Sequence, residues 1–200
     1  MPRHYSTSPH CIACRQRLPV CVCSAAPRLD LATRLVLLVH AAEWGRSTNT
    51  GHLLRLAVRD PEIHVHGWQR RQAGAEPMPS ALVLFPRPGA AVLTRAMAAA
   101  LPQPITLLIP DGNWNQALNM MRRMPSLLAA TPVRIDAEPL ALAPLRRNRG
   151  SERRSTFEAV AQAVGILEGE EAERRLLAFF RYVLARRMGN GRVPEAIAPR

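Results

Sequence analysis

The sequence contains no lysine, and its positive charge rests on 27 arginines set against 15 acids, a formal balance of +12. It also has no apolar run long enough to cross a bilayer, which excludes a spanning helix. An apolar signal core near the start is missing too, because the first residues are polar and cysteine-bearing. Together these absences predict a cytoplasmic protein with no membrane partner. No cysteine follows Cys23. In a reducing compartment four crowded thiols are better suited to holding a metal than to pairing as disulfides. No internal repeat is present, and no obligatory protein partner is evident.

The missing lysine by itself is what an arginine-rich proteome produces. The excess of arginine over acid is not explained that way and predicts a polyanionic partner. Arginine suits nucleic acid because its planar fork grips phosphate with two hydrogen bonds and stacks on bases, and each phosphate neutralised releases counterions.

Two hundred residues with 48% hydrophobic content are enough for one main domain with a core that needs no disulfides. Residues 1–30 hold every cysteine and little periodic pattern, and read as a metal-stapled segment. An alternating α/β pattern follows over 31–188, and 189–200 reads as a frayed tail. Thr33 to His40 is apolar on both faces, as a buried parallel strand is. Further strands are expected at Ile63 to His66, Ala81 to Phe85, Ile105 to Ile109 and Val133 to Ile135. Helices are expected from the caps near Ser47 to Thr50, over Ala91 to Leu101, over Asn113 to Met124 up to Pro125, from the Ser155 to Glu158 capping box, and over Glu170 to Arg187. Ala137 to Pro144 reads as a loop. The class is α/β, a parallel sheet flanked by helices.

The clearest chemical signal is Cys11-x2-Cys14-x6-Cys21-x-Cys23. Four thiolates this close can complete a tetrahedral shell around zinc, and a site with four protein ligands leaves no open position for catalysis. The Cys-x-Cys half is tight, which leaves open that His10 replaces one thiol. Arg15 and Arg17 inside the loop read as solvated charges or as a basic edge toward RNA.

Three further segments stand out. His40-x2-Glu43-x2-Arg46-x-Thr48-Asn49-Thr50-Gly51 follows the first strand. Leu107-Leu108-Ile109-Pro110-Asp111-Gly112-Asn113-Trp114-x-Gln116-Ala117 runs from a strand into a helix, and Ser155-Thr156-x-Glu158-Ala159 opens another. With the four cysteines, in this order and spacing over about residues 10 to 168, the chain resembles the DTW-domain family of tRNA-uridine aminocarboxypropyltransferases. The family is named for Asp-x-Thr-Trp, and here the third position is Asn113, a residue equally able to cap a helix. A second family pattern, Ser-x-Tyr-x-x-Arg, has no clean match; Ala141, Ala143 and Arg146 occupy its place.

The resemblance implies a SPOUT-like fold with a C-terminal trefoil knot, against the usual rule that chains do not thread loops. It further implies S-adenosylmethionine as co-substrate, structural zinc, and transfer of the 3-amino-3-carboxypropyl group to N3 of a tRNA uridine with release of methylthioadenosine. Asp111, at a strand end followed by glycine, is then the candidate base, because uridine N3 carries a proton at neutral pH. Its competing reading is a helix cap. Leu107, Leu108, Ile109, Pro110 and Gly112 are expected to wall the adenosine pocket, with Trp114 as apolar cover or as plain helix core, and Thr156 touching the co-substrate. Arg46, Asn49, Arg146, Arg147, Arg149, Arg153 and Arg154 are the expected tRNA contacts; Arg46 and Asn49 are equally placed for the co-substrate carboxylate, and Asn49 also reads as a helix cap. His64 and His66 read as structural or solvated. Two competing functions remain at this point: an RNA methyltransferase on the same fold, and a zinc-containing RNA-binding protein with impaired catalysis.

Overall fold

The computed structural model describes residues 9–46, 48–67, 78, 80–137 and 154–187. Strand β1 (Arg34–His40) runs into one helical turn, α1 (Ala41–Trp44), and the chain returns through α2 (Leu54–Ala57) to β2 (Glu62–His66). Then follow β3 (Leu82–Leu84), β4 (Ala91–Val92), α3 (Arg95–Ala99), β5 (Thr106–Asp111), α4 (Trp114–Arg123), α5 (Pro125–Ala129), β6 (Thr131–Arg134), α6 (Thr156–Glu168) and α7 (Glu170–Arg187). The six strands form one sheet in the order β2-β1-β5-β3-β6-β4, and every pairing is parallel. The expected parallel α/β class is what the chain adopts.

The apolar run of β1 explains why the sheet is covered on both sides. Successive side chains point to opposite faces. Leu35, Leu37 and Val39 join Leu107 and Ile109 against Phe157, Val160 and Val164 of α6 and Phe179 and Phe180 of α7. Val36 and Leu38 join Leu108, Val83 and Phe85 against Met120, Met121 and Leu127 of α4 and α5. The cysteine segment is packed on the first of these faces, since Cys14, Val22, Ala25 and Leu29 share its core.

One expected helix is replaced. Ala91 to Leu101 divides into β4, which pairs Ala91 with Val133, and α3, which starts only after Thr94. The Thr94 hydroxyl accepts a hydrogen bond from Met97 N at 3.1 Å and so caps the helix there. Pro125 ends α4 as expected and also opens α5, where its missing N–H costs nothing. Residues 138–153, between β6 and α6, lie outside the described residues. The 137–144 loop, apart from Ala137, and the 189–200 tail lie outside them as well.

Candidate active site

The carboxyl edge of a parallel sheet is where loops from different strands meet. Here β5 ends on Asp111, which is buried at 3% exposure. Its Oδ2 accepts from the Asn49 side-chain amide at 2.5 Å, and its Oδ1 accepts from the Thr156 hydroxyl at 2.5 Å. A β-carbon on Gly51 would stand 2.6 Å from Oδ2, so only glycine lets the loop close over the carboxylate. Asn49 and Gly51, Asp111, and Thr156 belong to the three separate motif segments, and all three segments converge on one carboxylate.

The cap reading of Asp111 does not hold. Helix α4 is capped by Asn113, whose Oδ1 accepts from Gln116 N at 2.9 Å while Gln116 Oε1 accepts from Asn113 N at 2.7 Å. Asparagine therefore does the capping at the position where the family carries threonine. Ser155 caps α6, accepting from Glu158 N at 3.2 Å.

Beside this carboxylate a cavity of about 360 Å³ opens between the ends of β3, β5 and β6 and the first turns of α4 and α6. Ile109, Pro110, Gly112, Trp114 and Thr156 line it, as expected of a pocket wall. Leu107 and Leu108 do not line it; they are fully buried on opposite faces of the sheet, as alternation along a strand requires. Trp114 is 42% exposed and stacks on Phe85 with ring centroids 5.0 Å apart, so it covers the pocket and is not part of the helix core. Leu84, Phe85, Arg134, Ile135 and Arg154 are among the other residues of the wall. The Phe85, Arg134 and Ile135 contributions have no signal in the sequence, because they depend on β6 lying next to β3.

Among the expected RNA contacts, Arg46 is exposed and paired with Glu43 at 2.9 Å. Asn49 is turned into the protein, its amide on Asp111 and its Oδ1 accepting from His52 N at 3.0 Å. Arg154 lines the pocket beside Thr156. Arg146, Arg147, Arg149 and Arg153 lie outside the described residues. Arg15 is neither a solvated charge nor a free edge. Its guanidinium donates to the Trp44 carbonyl and lies 4.3 Å from the centre of the Trp44 ring.

The four cysteine sulfurs all lie within 4.8 Å of one another, with Cys11–Cys23 and Cys14–Cys21 at 3.6 Å. A tetrahedral zinc with Zn–S bonds near 2.3 Å needs sulfurs about 3.8 Å apart, so the donor set fits that ion. His10 is not required to complete it. A hydrogen bond from the Cys14 backbone is the main cause holding the Cys11 thiol down at about 6, whereas burial pushes Cys14 and Cys23 up. A bound divalent cation would deprotonate all four.

His52 carries no signal in the sequence. It is fully buried, with Nε2 3.1 Å from the Cys14 carbonyl oxygen and Nδ1 2.6 Å from the Asn49 carbonyl oxygen. Burial outweighs both carbonyls and holds its pKa down at about 4. The ring is therefore neutral at pH 7, with a single N–H to donate. It joins the cysteine knuckle to the loop that holds Asp111.

Compared with known proteins, residues 8–188 match the model of the DTW domain. The chain belongs to the DTW domain family. Three relatives carry the name tRNA-uridine aminocarboxypropyltransferase 2. The one from Drosophila melanogaster is 27% identical over 177 residues, covering 84% of this chain and 70% of the relative. Those from Macaca fascicularis and Mus musculus are each 26% identical and cover 80% and 82% of this chain. The chain spans 57% and 58% of the length of these two. No solved structure gives a significant match. Among the described residues no helix is long and apolar enough to cross a membrane.

Proposed function

We propose that this DTW protein transfers the 3-amino-3-carboxypropyl group of S-adenosylmethionine to N3 of a uridine in tRNA. The observation that carries the reading is the convergence of three family motif segments on Asp111, beside a pocket of nucleoside size. The relatives' names support the same reaction. The fold reading that accompanies it is SPOUT-like, with a C-terminal trefoil knot, and the proposed place of action is the cytoplasm.

The pocket fits an adenosine-bearing co-substrate by its chemistry. Its wall is largely apolar, with the Trp114–Phe85 stack on one side and Ile109 and Pro110 on another, and its charged lining residues are two arginines. S-adenosylmethionine supplies a carbon activated by its sulfonium, so that a C–N3 bond forms as a C–S bond breaks and methylthioadenosine leaves. The chain must align N3 with the correct carbon and remove its proton. Alignment is worth several orders of magnitude in reactions of this kind.

Asp111 is the proposed base. Thr156 lines the pocket and donates to Asp111, so the proton from N3 passes to the Thr156 oxygen as the threonine proton moves to Oδ1. Asn49 holds the other carboxylate oxygen and keeps Asp111 in place. Arg46 and the arginines of 146–153 are the proposed tRNA contacts, and the cysteine knuckle is a structural zinc site.

The test is incubation of the full chain with unmodified tRNA and S-adenosylmethionine, followed by nucleoside mass spectrometry. The expected products are aminocarboxypropyl-uridine and methylthioadenosine in equal amounts. S-adenosylhomocysteine with a methylated nucleoside would make the protein a methyltransferase instead. tRNA binding with no product would make it a binding protein. Asp111→Asn is expected to abolish turnover.

A further inference from the structure

The two arginines in the pocket wall are in different electrostatic states. Arg134 is paired with Asp136, Nη1 to Oδ1 at 2.5 Å. Arg154 makes no ion pair or hydrogen bond among the described residues, and its Nε is buried without a partner. Removing a guanidinium N–H from water without an acceptor costs more than for a neutral group, and such groups in folded proteins nearly always have a partner. Among the described residues no carboxylate lines the cavity, so its wall supplies no counter-ion for the Arg154 charge. Arg154 also directly precedes Ser155, the cap of the 13-residue α6, whose first-turn N–H groups add positive potential at the same end. The wall is thus built to receive an anion within the pocket, next to Thr156.

Resting on the reading above, we infer that Arg154 binds the carboxylate of the transferred 3-amino-3-carboxypropyl group. A planar guanidinium holds a carboxylate with two parallel hydrogen bonds, which fixes direction as well as position. A sulfonium carries three carbons, any of which a nucleophile can attack. Anchoring the far end of the carboxypropyl arm settles which of them is presented, so Arg154 is a specificity residue that separates this transfer from methylation. This assignment places Arg154 on the co-substrate and leaves tRNA phosphate to Arg46 and the arginines of 146–153.

Two commercially available nucleosides isolate the contact. S-adenosylhomocysteine keeps the amino acid arm, and methylthioadenosine lacks it. Titration calorimetry on the full chain is expected to show the parent binding S-adenosylhomocysteine at least about tenfold more tightly, the scale of a charge-assisted hydrogen bond. Arg154→Gln should erase that advantage while leaving methylthioadenosine affinity within about twofold, and Arg154→Lys should restore part of it. The unchanged methylthioadenosine affinity also shows that the pocket is still folded. Equal losses for both nucleosides, or an unchanged preference alongside weaker tRNA binding, would overturn the inference and leave the proposed reaction standing. A parent that binds neither nucleoside would overturn the reaction itself and this inference with it.

Discussion

Nε2 of His52 lies 3.1 Å from the carbonyl oxygen of Cys14, and through this contact the cysteine knuckle backs the loop that holds Asp111. On its other side the same ring reaches the Asn49 carbonyl, and the Asn49 amide holds Oδ2 of Asp111. The proposed zinc site, which performs no reaction, is thereby placed two residues away from the carboxylate proposed to perform one. His52→Ala removes a buried ring and strands the carbonyl that accepts its single N–H. It should destabilise the protein by about 2–4 kcal/mol in urea unfolding. A loss below about 0.5 kcal/mol would show that the link carries no load.

Zinc should be present at one ion per chain, measured by elemental analysis of the purified protein. Stripping it with a chelator, or substituting Cys21→Ser, is expected to lower Tm and the modification rate together, because metal binding and folding of the knuckle are one equilibrium. A stripped protein with unchanged Tm would remove the structural role.

Gly51→Ala directs a methyl at Asp111 Oδ2 from 2.6 Å. The carboxylate is held from two sides and must shift by a substantial fraction of an ångström. A misplacement on that scale is worth about a hundredfold in rate. The expected outcome is a rate loss of that order with unchanged tRNA affinity by filter binding. A variant with parental rate would place Asp111 outside the chemistry.

Glu173 tests the packing of α7 on α6. Burial, with Glu170 as a lesser cause, pushes its carboxyl up from the ordinary 4.5. The folded state therefore favours the protonated form. The stabilisation is fully present below pH 4.5 and is lost as pH rises through the raised folded value, so at pH 7 the half-buried charge is a cost. Glu173→Gln should raise Tm at pH 7 by about 2 °C and give no gain at pH 4. An equal gain at both values would assign the effect to shape and not to charge.

Much of the fold could be read directly from local pattern. The β1 run is apolar from Leu35 to Val39, so both faces of the strand had to be covered, and they are. The helix starts at Asn113 and Ser155 were visible because a cap is a contact within three residues. The Ala91 to Leu101 segment reads as one helix because alanine favours helix wherever context is silent, and here β6 supplies the context by pairing with Ala91. His52 carries no such signal because a single histidine has no pattern, and its two partners lie 38 and 3 positions away.

The candidate site divides the same way. The sequence by itself determined the cysteine cluster, the class of the sheet and the family, since each rests on spacing along the chain. Only the tertiary structure decided that Asn49 turns inward to Asp111, that Leu107 and Leu108 leave the pocket while Arg154 enters it, and that Asp111 is buried. Those outcomes depend on which strand ends become neighbours, and a parallel sheet brings together residues that the sequence keeps far apart.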